Sequence, residues 1–209
     1  VFVSAIVPNI EEISAWLGGS ADTVVRSDYR PALAEYSVLR GSGTGAALRL
    51  ALEMHPHEAP PTRFSIDGFL TRADFRWTND ATGRLNTYPF QSMKAQAIAA
   101  ARKALSMGAA AVFAANKRGD QGAVGLAEEL IEQLTHNLSL PAPIDYSKAS
   151  KVAATVKYLE LEYGPSWVGT RMLASGAVLH HGDIPQETRE VVEALLRQGD
   201  VRFAICTNT

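Results

Sequence analysis

The stretch Gly176-Ala-Val-Leu-His180-His181-Gly182-Asp183-Ile-Pro-Gln-Glu-Thr-Arg-Glu-Val-Val-Glu-Ala-Leu-Leu-Arg-Gln-Gly199-Asp-Val-Arg-Phe-Ala-Ile-Cys-Thr207-Asn208-Thr209 decides the fold. An apolar run at 177–180, a polar loop, an amphipathic segment and a second apolar run at 201–206 spell strand, loop, helix, turn, strand. Asp183 stands three residues before Gln186 in a loose capping-box pattern, and Pro185 suits a first helical turn. Val191, Ala194 and Leu195 are expected to face the sheet, and Gly199 to close the helix. The unit is a βαβ crossover with parallel strands. In open α/β sheets ligands gather at the carboxyl ends of the strands, which here carry His180-His181-Gly182 and Thr207-Asn208-Thr209.

Reading outward, a second βα unit precedes it. Residues 109–115 form a small-residue strand, Asn116-Lys117-Arg118-Gly119-Asp120 a polar loop at its carboxyl end, and 122–135 a helix with Leu126, Leu130 and Leu134 on one face. Helices are expected over 146–163 and 166–174, broken at Gly164-Pro165. An Ala-rich helix is expected over 92–107, ending at Gly108. The stretch before it is less regular: a linker at 41–45, a helix over 46–54, a hairpin within 62–78, and a loop at Asn79-Asp80-Ala81-Thr82-Gly83. At the start, 1–7 reads as a buried strand. Asn9 caps a helix that reaches Leu17 and stops at Gly18, and an extended stretch holds a strand near 35–39.

Composition bounds the class. The chain has 209 residues, 46% hydrophobic and 20% charged, with a formal net charge of −2; this is globular, with no global basic signature. Nucleic-acid binding would therefore need a local patch or a partner domain. The single Cys206 excludes an internal disulfide framework and fits a reducing, cytoplasmic compartment. No apolar run is long enough for a membrane span.

Four segments carry a resemblance. Ser4-Ala5-Ile6, followed by Pro8-Asn9 and by Glu12, Ala15, Trp16, Leu17 and Gly18, resembles helicase motif III and its helix. Val112-Phe113 with Asn116-Lys117 resembles motif IV. Ala177-Val-Leu-His180-His181-Gly182 resembles a His-His-Gly segment, and Ile205-Cys206-Thr207-Asn208-Thr209 the start of motif V. Together, in this order, they resemble superfamily 2 DEAD/DEAH-box helicases, nearest the Ski-like and Lhr-like DExH branch. The resemblance implies an α/β fold containing a partial RecA-like helicase C-terminal domain (109–209). It implies a remnant of the first RecA-like domain with a linker (1–40) and an inserted hairpin and helical region (41–108).

The implied function is that of a fragment of an ATP-dependent helicase or translocase acting on RNA or DNA. ATP and magnesium would belong to the parent, with none bound to the fragment, because the sequence has no Gly-x-x-x-x-Gly-Lys-Ser/Thr loop and no Asp-Glu-x-His or Asp-Glu-Ala-Asp motif. The missing first RecA-like domain would be the partner. Val1–Val7 is expected to join a sheet edge or to pair with a second copy as a dimer. The alternative is a non-enzymatic module that binds nucleic acid or protein on a helicase-like scaffold.

Ser4, Ala5 and Ile6 would couple the ATP site to strand separation, or Ser4 is simply a strand-end serine. Asn116, Lys117 and Arg118 suit phosphate and sugar contacts, or form a solvated loop. By the same resemblance His181 and Gly182 line the nucleic-acid channel, and Thr207 and Asn208 meet a phosphate. Adjacent histidines on a strand point to opposite faces, so His180 and His181 are not expected to share a metal. Gly41-Ser-Gly-Thr-Gly45 lacks the lysine of a nucleotide loop, and nothing supports a metal at His55-Pro-His57-Glu58. Asn137-Leu138-Ser139 matches a glycosylation acceptor without a sign of secretion. Phosphoryl transfer is mostly positioned charge, so the 209-residue chain is expected to hydrolyse no ATP; a coupled phosphate-release assay on rigorously purified protein checks this.

Overall fold

The structure, a computed structural model, describes residues 10–20, 24, 35–42, 49–56 and 64–207. The elements in order are α1 (Ile10–Trp16), β1 (Glu35–Ser42), β2 (Arg49–Pro56), β3 (Phe64–Thr71), a 3-10 turn (Arg72–Phe75), β4 (Arg76–Thr78), β5 (Leu85–Thr87), α2 (Met93–Ala104), β6 (Ala110–Ala114), α3 (Ala123–Thr135), a second 3-10 turn (Pro143–Tyr146), α4 (Ala149–Tyr163), α5 (Val168–Ala174), β7 (Ala177–His180), α6 (Gln186–Arg197) and β8 (Phe203–Thr207). The chain divides into two compact units, 1–36 with 55–62 and 37–54 with 63–209. The expected strand at 1–7, with Ser4, Ala5 and Ile6, and the Asn9 cap lie outside the described residues, as does Asn208. In the first unit α1 ends as its sequence predicts: Gly18 adopts a φ of 78° and the Gly19 amide donates to Ser14 O at 2.8 Å.

In the second unit the protein is a mixed α/β structure around a three-stranded parallel sheet of order β6-β8-β7. Val112 and Leu179 both lie opposite Ile205. Pleating sends alternate side chains to opposite faces. Leu179, Phe203 and Ile205 pack with Val112, Leu126, Leu130 and Met172 on one side. Val178 packs with Leu159, Val192 and Leu195 on the other. Helices therefore cover both faces at β7, as a parallel sheet requires. Fully burying each of these side chains contributes about 1.5–3 kcal/mol. On α6 the buried positions are Thr188, Val192 and Leu195. Val191 is instead 36% exposed, because an i, i+4, i+7 stripe through Leu195 includes Val192 and excludes its neighbour.

Four other expectations are corrected. The 46–54 helix is not formed where the residues are described: Arg49–Pro56 is a strand antiparallel to β3. Its Ala, Leu, Glu and Met residues favour a helix in isolation, but pairing places Leu50 opposite Leu70 and buries both, and that burial overrides propensity. Of the linker expected over 41–45, Gly41 and Ser42 instead end β1, and the other three residues lie outside the described ones. The hairpin expected within 62–78 is two separate pairings. β3 pairs backward with β2, and β4 pairs forward with β5 across the turn 79–83. Between them Thr71 and Asp74 form a capping box that bends the chain and buries Phe75. Asn79 Oδ1 accepts from the amides of Ala81 at 3.0 Å and Thr82 at 3.1 Å, which closes the second turn. Finally α4 starts at Ala149, not at 146, because Pro143–Tyr146 forms a separate 3-10 turn.

A buried polar chain holds α2, α3 and the β4–β5 hairpin together. Arg102 is 1% exposed. It donates to Leu140 O at 2.8 Å, Pro141 O at 3.0 Å and Gln133 Oε1 at 3.4 Å. Gln133 in turn donates to Ala95 O at 3.1 Å and to Glu129 Oε1 at 2.9 Å. Tyr88 donates to the same carboxylate oxygen at 2.9 Å. Burial pulls the Arg102 pKa down to about 10, which still leaves it charged at neutral pH. Among the described residues no helix is long and apolar enough to cross a membrane. Replacing Arg102 by Ala strands the buried carbonyls of Leu140 and Pro141 and opens a void. Arg102→Ala is expected to lose about 3–5 kcal/mol of unfolding free energy, and Arg102→Met, which refills the space, visibly less; urea denaturation of the two variants checks the order.

Candidate functional site

Parallel register brings the carboxyl ends of the three strands side by side. Ala114 lies opposite Thr207, and His180 opposite Cys206. The Asn116-Lys117-Arg118 loop, Thr207 and the His181-Gly182 step therefore share one edge of the sheet, although Lys117 and Asp183 are 66 residues apart in sequence. Seven residues connect β6 to α3 after Ala115, and they fold back on themselves. The amides of Ala123 and Val124 donate to the carbonyls of Asn116 at 2.9 Å and Lys117 at 3.1 Å. Two first-turn amides of α3 are thus used internally rather than offered to a ligand. The fold-back leaves no room for side chains beneath it. A Cβ on Gly122 would sit 2.3 Å from Arg118 O, and one on Gly125 2.4 Å from Asp120 O.

Asp183 does not cap α6. Pro185 stands at the cap with no side-chain hydrogen bond, and the Asp183 carboxylate instead accepts from Lys117 Nζ. That hydrogen bond and the charge behind it hold the Asp183 pKa below the usual carboxylate range. Asn116, Arg118 and Gly182 are exposed, Lys117 and Thr207 half-buried. Arg118 makes no ion pair among the described residues. An anion arriving at this edge would meet Arg118 and the Asn116 amide directly, and would compete with Asp183 for Lys117.

The two histidines diverge. His180 Nε2 meets Glu193 Oε1 at 2.8 Å on the α6 side, and that bond lowers the Glu193 pKa. His181 is only 5% exposed, and its buried Nδ1 has no partner. It lines a small cavity of about 160 Å³ with Lys117, Asp183, Trp167, Tyr163 and Ile184. The aromatic wall is fixed from behind: the Tyr163 and Trp167 rings are 4.4 Å apart, and Tyr163 Oη lies 2.6 Å from Thr188 Oγ1. Sequence reasoning did not find this wall or the Asp183 contact, and no local pattern marks either. No protein-family model matches this chain, and no curated protein sequence matches it.

Burial, reinforced by the nearby Lys117 charge, pushes the His181 pKa below its ordinary value of about 6.5. The neutral ring is the folded form, so the unfolded chain takes up the proton first on acidification. The stabilisation is complete above about 6.5 and is lost as pH falls through that value towards the lower folded pKa. An NMR titration of the His181 ring is expected to give a midpoint below about 6.5, and a His181→Asn variant to show a shallower fall of stability with pH across the same window.

Proposed function

We propose that this chain is part of a nucleic-acid helicase or translocase, and that its parallel sheet belongs to the second RecA-like motor domain. The carboxyl edge of that sheet grips backbone phosphates of RNA or DNA. One observation carries the reading: Asn116, Lys117 and Arg118, Thr207, and His181 with Gly182 converge on a single sheet edge, in the chain order of the helicase segments they resemble. Phosphate contacts position a strand without reading its bases. Amide, guanidinium and hydroxyl groups at strand ends suit that task.

Among the described residues nothing fits the phosphate-loop and magnesium site of an ATP-driven motor. The sequence has no phosphate-loop motif, and among the described residues no group of three or more His, Cys, Asp or Glu side chains comes together. ATP and magnesium belong, on this reading, to the rest of the parent protein. What this chain contributes is grip. Lys117 is held by Asp183 until a phosphate replaces that carboxylate, which makes the grip weak at rest and responsive to a charged strand. A reducing, cytoplasmic setting suits Cys206, a free thiol whose burial raises its pKa above the ordinary range and makes it less reactive.

Titration of a fluorescein-labelled oligouridylate at two salt concentrations tests the proposal. The wild type is expected to bind weakly and to lose affinity with salt. Lys117→Ala is expected to bind more weakly still, with a salt slope reduced by about 0.7. Asp183→Asn, which frees the lysine, is expected to bind several-fold more tightly. Equal affinity of wild type and Lys117→Ala at both salts would refute the phosphate grip.

A further inference from the structure

The other end of α3 holds a second, larger concavity. About 350 Å³ of space opens between the β4–β5 hairpin and the C-terminus of α3. Trp77 and His136 line it, and the run of mutually tilted rings continues from His136 to Tyr88. The Trp77 and His136 centroids are 4.5 Å apart, and the His136 and Tyr88 centroids 5.4 Å. Tyr88 is 4% exposed and its hydroxyl is tied to buried Glu129, so the inner ring is fixed. Arg76, Asp80, Asn137 and Ser139 surround the opening, all exposed. Among the described residues none of these four side chains has a hydrogen-bond or ion-pair partner. Asn137 holds a left-handed backbone with a φ of 49°, its amide donating to Leu134 O at 2.9 Å.

This lining selects a ligand class by exclusion. A bare anion would use Arg76 but waste the rings and face Asp80. A cation would suit Trp77 and Asp80 but face Arg76. An aliphatic ligand would leave the amide, hydroxyl and carboxylate without partners. A flat ring edged with both donors and acceptors, and carrying one phosphate, satisfies all of them. The ring extends the run of aromatic rings, its edge meets Asp80, Asn137 and Ser139, and its phosphate meets Arg76. We infer that this pocket binds a nucleobase on a phosphorylated ribose, either a free nucleotide or one base of a single strand. The inference is separate in place from the phosphate grip: the two sites lie at opposite ends of α3, about 20 Å apart at 1.5 Å per residue.

The test uses the 209-residue chain and two small probes, adenosine 5′-monophosphate and ribose 5-phosphate. The Trp77 indole signal in a ¹⁵N correlation spectrum, identified with Trp77→Phe, is expected to shift saturably with the nucleotide and not with the sugar phosphate. Trp77→Leu is expected to weaken nucleotide binding about 10-fold, in the range of a lost stacked base, while Trp77→Phe retains most of it. Should Trp77→Leu fail to fold, the exposed-rim variant Arg76→Ala must weaken nucleotide binding and leave adenosine binding nearly unchanged. An indole that does not move, or moves equally with ribose 5-phosphate, overturns the inference. Decaadenylate distinguishes the sources: tighter binding than the mononucleotide assigns a strand, equal binding a free nucleotide. Lys117→Ala separates this site from the other. A nucleotide effect at Trp77 that survives Lys117→Ala supports the pocket even if the phosphate grip fails. Oligouridylate binding that needs Lys117 while the indole stays silent sinks the pocket alone.

Discussion

A guanidinium taken out of water must find acceptors, and the position of Arg102 is set by that need. Among the described residues no carboxylate pairs with it. Its charge is answered at one remove, through Gln133, whose amide passes the polarity on to Glu129. Breaking such a chain at any member leaves a buried polar group unpaired, which costs more than the bond itself is worth. The chain of contacts spans α2, α3, the 138–141 segment and Tyr88 beside the β4–β5 hairpin. It therefore fixes the axis of α3 relative to everything packed around it. Both candidate sites depend on that axis, since the Lys117 loop enters α3 and His136 closes it.

Charge at the sheet edge is balanced almost pair by pair. Lys94 meets Asp120 at 2.6 Å, Arg171 meets Glu128 at 3.0 Å, and Lys117 meets Asp183. Exposed pairs of this kind add little stability, so their main effect is on what the surface offers. A field that would otherwise attract any polyanion is reduced to a few groups: Arg118, the Asn116 amide and a lysine that can be won by exchange. This agrees with a net charge of −2 for the chain, which leaves no long-range basic field to steer a strand.

The hydrophobic periodicities were legible where one face of an element meets one neighbour. The small-residue strand at β6, the Ala-rich helix α2, the leucine stripe of α3 and the terminal βαβ unit are of this kind. The misreadings share a cause. Residues 49–54 have good helix formers, and only β3 makes them a strand. Phe75 and Trp77 alternate with the residues before them, yet the Asp74 carboxylate bends the chain at Thr71 and hands the later strand to a different partner. Asp183 sits at a helix start and so resembles a cap, but a lysine from another loop holds it.

Local pattern alone therefore determined the α/β class, the parallel pair enclosing α6, and the polar residues at the ends of its strands, because side-chain period and turn chemistry act over a few residues. The tertiary structure decided which of those residues meet. It placed Lys117 on Asp183, left His181 Nδ1 without a partner, and packed the Trp77 ring at a tilt against His136. Such contacts join residues 31 to 66 positions apart in the buried chain and at the sheet edge. No periodicity encodes them, since they arise only when packed elements exclude water and force each polar group to take the partner that packing brings.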